Sequence, residues 1–357
     1  MESFVYTASP SRVVFGPGSS SQLPDELSRQ KLNAALILST PYQLEQANAI
    51  KQSLGSNAAG IFSNATMHTP VEVTLQAVQL AKDLKADSVV SIGGGSTTGL
   101  GKAISIRTGL PHISIPTTYA GSEMTPILGE TADGVKTTRR DPKILPGTVI
   151  SDVNLTMSLP TDLSATSGIN AIAHAVEALY APDTNPIMRL FAKEGIRTLS
   201  EALVVIVKSS QDEHARSKAL YGAWLCGVCL GSTSMSLHHK LCHTLGGSLN
   251  LPHAETHTIL LPHTFAYNSS AATQAAKDVA DALPDSDGDA IKGLNILLGK
   301  LGVKRALRDF GMKEDDIDRV ASLATKNPYS NPRTVEESPI RELLRRAWIG
   351  DDAKADL

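Results

Sequence analysis

The sequence predicts an α/β domain built on a parallel sheet, followed by an all-helical domain. Three observations carry this prediction. Up to residue 157, short β-rich runs alternate with amphipathic helical stretches, and such alternation places helices on the faces of a parallel sheet. From residue 158 the strand signal stops and one helical pattern follows another. A chain of 357 residues also exceeds what a single simple core organises. The expected domains are therefore 1–157 and 158–357.

In chain order, the strand candidates are RVVFG (12–16), AALILS (34–39), AGIF (59–62), DSVVSIGG (87–94), HISIPTT (112–118) and TVISD (148–152). Between them, VEVTLQAVQLAKDLKA (71–86) repeats its apolar residues at helical spacing. TPILGETADGVKTTRR (125–140) differs, because Asp133-Gly134 is a hairpin turn signal between two polar strands. Helices are expected over 168–181, 186–208, 212–231 and 338–350.

A net charge of −3 with both signs dispersed excludes a nucleic-acid partner and an anionic membrane surface as expected targets. The opening MESFVYTASPSRVVFG has no basic segment followed by an apolar one, and no apolar run is long enough to span a bilayer. A cytoplasmic protein is expected. Cys226, Cys229 and Cys242 make no disulfide framework. The first two lie in the apolar helix ALYGAWLCGVCLG and read as buried, unreactive thiols rather than as a metal or redox pair.

Two loops carry nucleotide-site character. SIGGGSTTGLGKAI (91–104) runs from an apolar strand into three glycines, then into Ser96, which can cap the next helix. Glycines let a ligand approach the backbone, and N–H groups at a helix start attract phosphate. Taken alone, the loop fits a tight βα turn equally well, and it matches neither a P-loop nor a strict G-x-G-x-x-G. SIPTTYAGSEMTP (114–126) carries Thr117, Thr118 and Ser122 at the end of another strand. Their hydroxyls suit ribose, phosphate or an amide, and they also suit local capping. The two loops together favour a nucleotide.

Six of the ten histidines fall in HHKLCHTLGGSLNLPHAETHTILLPH (238–263). Asn170 and His174 are four apart on one helical face, and His239 and His243 repeat that spacing in a helix that Gly246-Gly247 should interrupt. Asn170, His174, His239 and His253 suggest a shared cavity, whereas His238, His257 and His263 read as ordinary hydrogen-bonded core residues. Three neutral imidazoles and an amide offer a divalent ion no negative charge. The basic run KTTRRDPK (136–143) reads as a solvated face, and Arg333 in NPYSNPRTV is a candidate cation for a carboxylate substrate.

VVFGPGS, GGGS, PTT…GSE, VISD…LP, GINAIAHAVEALY, the histidine stretch and ILLPH resemble, in this order, the iron-containing (group III) alcohol dehydrogenase superfamily. The likeness covers nearly the whole chain. It implies a dehydroquinate synthase-like fold, with an N-terminal dinucleotide-binding domain and a C-terminal helical domain. The family's metal ligands, normally one Asp and three His, fall on Asn170, His174, His239 and His253, and His243 matches a further active-site histidine. The pyrophosphate loop falls on Gly94, Gly95 and Ser96, the nicotinamide-side threonines on Thr117 and Thr118, and His68 on the cofactor cleft.

Three departures stand out: Asn170 replaces the acidic ligand, the PTT loop is one residue short with Tyr119 in it, and Thr40 stands where NAD-preferring members carry Asp. Tyr119 is expected to shape the substrate pocket. Together these features resemble the maleylacetate reductase branch. That likeness implies reduction of a small anionic dicarboxylate by NADH or NADPH in aromatic-compound catabolism, no required metal and a homodimer. Asn170, His174, His239, His243 and His253 would carry the chemistry. The alternative is a metal-dependent alcohol dehydrogenase acting on a small alcohol or aldehyde.

Overall fold

The computed structural model describes residues 4, 6–8, 11–132, 135–326 and 329–357, with the side chains of Val135 and Lys136 left aside. The hairpin turn expected at Asp133-Gly134 and the side chain of Lys136 lie outside the described residues. Backbone packing divides the chain into an α/β unit, Ala8–Leu159, and a helical unit that takes the described residues of Pro160–Leu357 together with Phe4, Tyr6 and Thr7. The division thus differs from 157/158 at both ends. Leu159 closes a turn of the first unit through its N–H to the Thr156 carbonyl (3.0 Å). Phe4 lines a surface pocket of the helical unit with Asn185 and Leu190.

In the α/β unit, β1 (Arg12–Gly16), β2 (Ala35–Leu38), β3 (Ala58–Phe62), β4 (Ser88–Gly93), β5 (His112–Pro116) and β8 (Thr148–Asp152) form a parallel sheet in the order β1-β8-β5-β4-β2-β3. β6 (Ile127–Ala132) and β7 (Val135–Arg140) pair separately as an antiparallel hairpin. The helices are α1 (Leu23–Arg29), α2 (Leu44–Leu54), α3 (Val71–Asp83) and α4 (Gly95–Thr108).

Side chains alternate across a strand, so the continuous apolar runs of β2 and β4 feed two cores. Ile37, Val90 and Ile92 pack with Leu23, Leu27 and Ile50 on one face. Leu36, Leu38 and Val89 pack with Ala77, Leu100 and Ile104 on the other. The chain leaves β2 toward β3 on one side and continues from β4 toward β5 on the other. The carboxyl ends of β2 and β4 therefore flank a topological switch point, where open α/β sheets bind their ligands.

The helical unit contains α5 (Thr161–Tyr180), α6 (Pro186–Ile206), α7 (Glu213–Ser232), α8 (Leu237–Leu249), α9 (His253–Ser269), α10 (Thr273–Ala282), α11 (Ala290–Leu301), α12 (Asp316–Thr325) and α13 (Glu337–Ile349). Helix starts are capped where the sequence supplies a short acceptor. Asn185 Oδ1 accepts from the Ile187 and Met188 N–H groups, and Asp212 accepts from Ala215. α6 and α7 pack closely through small residues: a Cβ on Gly195 would lie 2.6 Å from Cys226 Sγ and 3.3 Å from the Gly222 carbonyl. Cys226 and Cys229 are buried and unpaired, and burial pushes both thiols up, Cys229 to about 12.

Two helices depart from the sequence expectation. α5 begins at Thr161 rather than 168, because the polar TDLSATS segment winds its first turns from Pro160, with Ser164 Oγ donating to the Pro160 carbonyl (2.8 Å). Gly246-Gly247 does not interrupt α8, which ends only at Asn250 with φ 54°. Each interior glycine costs about 1 kcal/mol, and burial of Leu237, Leu241 and Leu245 in a core shared with α9, α12 and α13 offsets it. No single helix among the described residues is long and apolar enough to cross a membrane.

Candidate active site

At the switch point β4 runs into Gly93, Gly94 and Gly95. Gly93 has φ +142°, and a Cβ there would meet Gln43 Oε1 at 2.6 Å. α4 starts at Gly95 with Gly94 as its N-cap residue and no side-chain cap. Ser96 therefore does not cap the helix as expected; it lies within the first turn, two positions past the N-cap residue Gly94. Those N–H groups carry the positive end of the helix dipole and suit an anion.

Around the glycines, Thr117 Oγ1 accepts from Gln43 Nε2 (3.0 Å), and Thr40 Oγ1 donates to Gln43 Oε1 (2.8 Å). Gln43 thus ties the end of β2 to the end of β5. Sequence reading passed over it, although its place just beyond β2 was a usable signal. Thr118 packs on Gly94, where a Cβ would lie 2.9 Å from its Cγ2.

Ser122 is held by Lys102, whose fully buried Nζ donates to the Ser122 carbonyl (2.6 Å), Thr125 Oγ1 (2.9 Å) and the Ile127 carbonyl (2.8 Å). Burial pulls that ammonium down to about 7, opposed by the nearby Glu123 carboxylate. Tyr119 is fully buried. His68 and Thr69 both have positive φ, 64° and 46°. For β-branched Thr69 this is a strained conformation.

The second cluster lies within the helical unit. α5 places Asn170, His174 and Glu177 at i, i+4 and i+7, on one face. α8 contributes His238, His239, Cys242 and His243, and α9 contributes His253 and His257. The rings gather closely. His174 and His239 have centroids 5.0 Å apart, His239 and His257 4.9 Å, His253 and His257 4.3 Å, and His243 and His253 6.3 Å in a stacked arrangement. His174, His239, His257 and Asn170 are buried, whereas His243 and His253 are exposed at the rim.

Two hydrogen-bond chains run through the cluster. Glu177, fully buried, accepts from the Ser236 and His238 N–H groups (2.9 and 2.8 Å) and from His239 Nδ1 (2.6 Å). His239 Nε2 pairs with His174 Nδ1 (2.9 Å). In the second chain Thr264 Oγ1 donates to the Leu260 carbonyl and so accepts from His238 Nδ1 (3.0 Å). His238 Nε2 then pairs with His257 Nδ1 (2.9 Å) and sits 3.7 Å from Cys242 Sγ.

Burial, reinforced by the neighbouring imidazoles, holds His238 and His257 well below the usual histidine range, so both are neutral. His238 accordingly behaves as the expected core residue. His257 does not, because its Nε2 is buried without a hydrogen-bond partner and its ring lies against four other histidines. Within this cluster, His257 and Glu177 are the residues that sequence reading missed. Both were signalled by spacing: His257 is four after His253, and Glu177 is three after His174.

Asn170 Oδ1 is the other orphaned acceptor of the cluster. A buried carbonyl oxygen lacking a donor costs about 1–3 kcal/mol and suits a cation, a water or a substrate hydroxyl. The 2.9 Å separation of His174 Nδ1 and His239 Nε2 is also the spacing of roughly 3 Å expected for neighbouring nitrogens bound at about 2.1 Å to one octahedral ion. This one pair thus has the spacing of two ligands on a divalent cation, although its donor atoms bear no charge.

Arg333 is not part of this cluster, contrary to its expected role as a carboxylate cation. Its guanidinium stacks 4.1 Å from the Tyr267 ring centroid and donates to the carbonyls of Tyr267 (3.2 Å) and Leu357 (2.6 Å). It fastens the C-terminal residues instead. On the hairpin, Thr137–Arg140 are exposed, as a solvated face requires.

Comparison with known proteins places these features in a family. Residues 10–153 match the model of iron-containing alcohol dehydrogenases, and residues 164–348 match that of the C-terminal part of the Fe-containing alcohol dehydrogenase family. The chain is 55% identical over 350 residues to a maleylacetate reductase of Rhizobium sp. (strain MTP-10005), covering 98% of this chain and 99% of that protein. The crystal structure of maleylacetate reductase from Agrobacterium tumefaciens superposes with a TM-score of 0.95 at 55% identity, covering 99% of this chain and all of that one (100%). An iron-containing alcohol dehydrogenase from Corynebacterium glutamicum gives a TM-score of 0.94 at 39% identity over 99% of this chain and 98% of that one. The chain belongs to the iron-containing alcohol dehydrogenase family and, within it, groups with the maleylacetate reductases.

Proposed function

We propose that this protein is an oxidoreductase that reduces the carbon–carbon double bond of maleylacetate to 3-oxoadipate with NADH or NADPH, in the breakdown of aromatic compounds. The observation that supports this most is the 55% identity to a maleylacetate reductase along essentially the full length of both chains. A cytoplasmic homodimer is part of the same proposal.

The glycine loop of the α/β unit suits the cofactor pyrophosphate, and the histidine cluster suits an oxo-dicarboxylate. Hydride adds to the alkene carbon β to the oxo group, the electron pair of the double bond moves toward the oxo oxygen, and a proton then goes to the α carbon. The developing enolate must be stabilised where the charge accumulates. His243, exposed at the rim, is the proton donor in this reading. His174 and His253 face the oxyanion or a carboxylate, and His239, with both ring nitrogens engaged by Glu177 and His174, holds His174 in place.

A divalent cation, where bound, would be held by Asn170 Oδ1, His174, His239 and His253 and would polarise the oxo group. With neutral donors only, turnover is expected to persist after chelation. The test is a steady-state assay on maleylacetate with chelator-treated enzyme and both cofactors. Cofactor oxidation that starts only on addition of maleylacetate supports the reading. Activity lost on chelation, restored by iron or zinc and directed at small alcohols would support instead a metal-dependent alcohol dehydrogenase, a reading favoured by the spacing of the His174 and His239 nitrogens.

Two substitutions sharpen this reading. Asn170→Asp adds a charged ligand, so metal retained after dialysis is expected to rise by about 10-fold or more, as measured by elemental analysis. Thr40→Asp places a carboxylate at the end of β2, where the cofactor ribose is read. Its KM for NADPH is expected to increase about 10-fold or more while that for NADH changes little, since a like-charge contact costs upward of about 1.4 kcal/mol.

A further inference from the structure

We propose that Gln43 sets cofactor preference: its side-chain amide fixes the direction in which the Thr40 hydroxyl donates, so that the end of β2 reads a free ribose 2′-hydroxyl and not a 2′-phosphate. This rests on the reading of the glycine loop as the cofactor site.

The Gln43 side chain crosses the carboxyl ends of neighbouring strands, since β4 lies between β2 and β5 in the sheet. Its Oε1 meets Thr40 Oγ1 at the end of β2 (2.8 Å), and its Nε2 meets Thr117 Oγ1 at the end of β5 (3.0 Å). Between them the amide passes over Gly93, the last residue of β4, where a Cβ would lie 2.6 Å from Oε1. The Gly93 Cα–H that points the same way makes a weak contact with an oxygen and none with an N–H2 group. That contact fixes Oε1 as the end of the amide that faces Thr40.

An amide oxygen only accepts, and an N–H2 group only donates. Thr40 Oγ1 therefore commits its single proton to Gln43 and keeps its lone pairs for a ligand. Thr117 Oγ1 is the reverse: it accepts from Nε2 and keeps its proton for a phosphate oxygen or an amide carbonyl. Thr40 and Gln43 are half-buried, within reach of a ligand. β2 pairs with the glycine-loop strand, Leu38 opposite Ser91, and the end of such a neighbouring strand is where ribose hydroxyls are read. A 2′-hydroxyl has a proton to give to Thr40. A 2′-phosphate, with a second pKa of about 6, offers acceptors alone and would set lone pair against lone pair. The local sequence supplies no cation to offset this: residues 39–50 contain Glu45 and neither Lys nor Arg.

The test is a fluorescence titration of the whole enzyme, without substrate, giving Kd for NADH and for NADPH. The two cofactors differ only at the 2′ position, so any change in the glycine loop cancels in the ratio Kd(NADPH)/Kd(NADH). In the wild type that ratio is expected to be about 10 or more. Gln43→Met keeps the length of the side chain and releases the Thr40 proton, so the ratio is expected to fall by about fivefold or more. Gln43→Glu still accepts from Thr40 and is expected to hold the ratio at or above the wild-type value. In a Thr40→Val background, Gln43→Met is expected to leave the ratio unchanged, because the group it acts through is gone. A wild-type ratio of one or below overturns the assignment. So does a ratio that Gln43→Met leaves unchanged while weakening both cofactors equally, the result of a merely structural tie. If Gln43→Met fails to fold, as its melting temperature would show, the wild-type ratio and Gln43→Glu still decide the matter. Failure of the wild type to bind either cofactor rejects the cofactor reading itself, whereas binding of both without discrimination rejects only the role of Gln43.

Discussion

Replacing His243 by alanine is expected to lower kcat by about two to three orders of magnitude while the Kd for NADH stays near its wild-type value. General acid catalysis by a positioned side chain contributes roughly 10²–10⁴-fold, and His243 is the histidine best placed for it. It lies on α8 one turn after His239, with ring centroids 6.0 Å apart, and is exposed where a proton can be replenished from solvent. The buried rings are poorer donors. His239 and His174 are committed to the chain that ends on Glu177, and burial keeps His238 and His257 neutral.

Stability should change little in His243→Ala, because an exposed side chain leaves no cavity. Stopped-flow measurement of cofactor oxidation, with and without added imidazole, checks the role. Partial rescue by imidazole is expected, and wild-type kcat without it would remove His243 from the mechanism.

The second large effect is expected in the glycine loop. In Gly94→Ala the new methyl would lie 2.9 Å from Thr118 Cγ2 and 3.0 Å from its Oγ1, so Thr118 must move or the loop must open. Overpacking of this kind costs about 1–3 kcal/mol. Spent on the bound state, that corresponds to roughly a 10- to 100-fold weaker Kd for NADH. Gly95→Ala separates the ligand from the protein: a Cβ there meets no protein atom within 4 Å. Its fold should be undisturbed, and any loss of NADH affinity reports the approach of the cofactor itself. Fluorescence titration of both variants, alongside their melting temperatures, provides the readout. Equal affinity in all three proteins would locate the pyrophosphate elsewhere.

Part of this architecture was readable because it is written locally. Strand runs such as ALIL and the helical spacing of VEVTLQAVQLAKD encode themselves through a period of two or 3.6 residues, and the structure places β2 and α3 there. The glycine loop was only half readable, since an apolar strand that ends in Gly93-Gly94-Gly95 suits a tight βα turn as well as a phosphate. The errors were local rules overridden at a distance. Gly246-Gly247 should have broken a helix on propensity alone, yet α8 continues because its leucines are buried against three other helices. Ser96 had the right chemistry for a cap and the wrong position for one.

The sequence by itself determined the order of elements, the phosphate-suited loop and the crowding of imidazoles on α5, α8 and α9, because each follows from spacing within one segment. Only the tertiary structure decided how those imidazoles are wired. Glu177 meets a histidine 62 positions away, and Arg333 meets the C terminus rather than the site. Gln43 reaches across to a threonine 74 positions on. A hydrogen bond acts over about 3 Å, so its partners are chosen by where packing brings side chains to rest, and no period in a single segment records that.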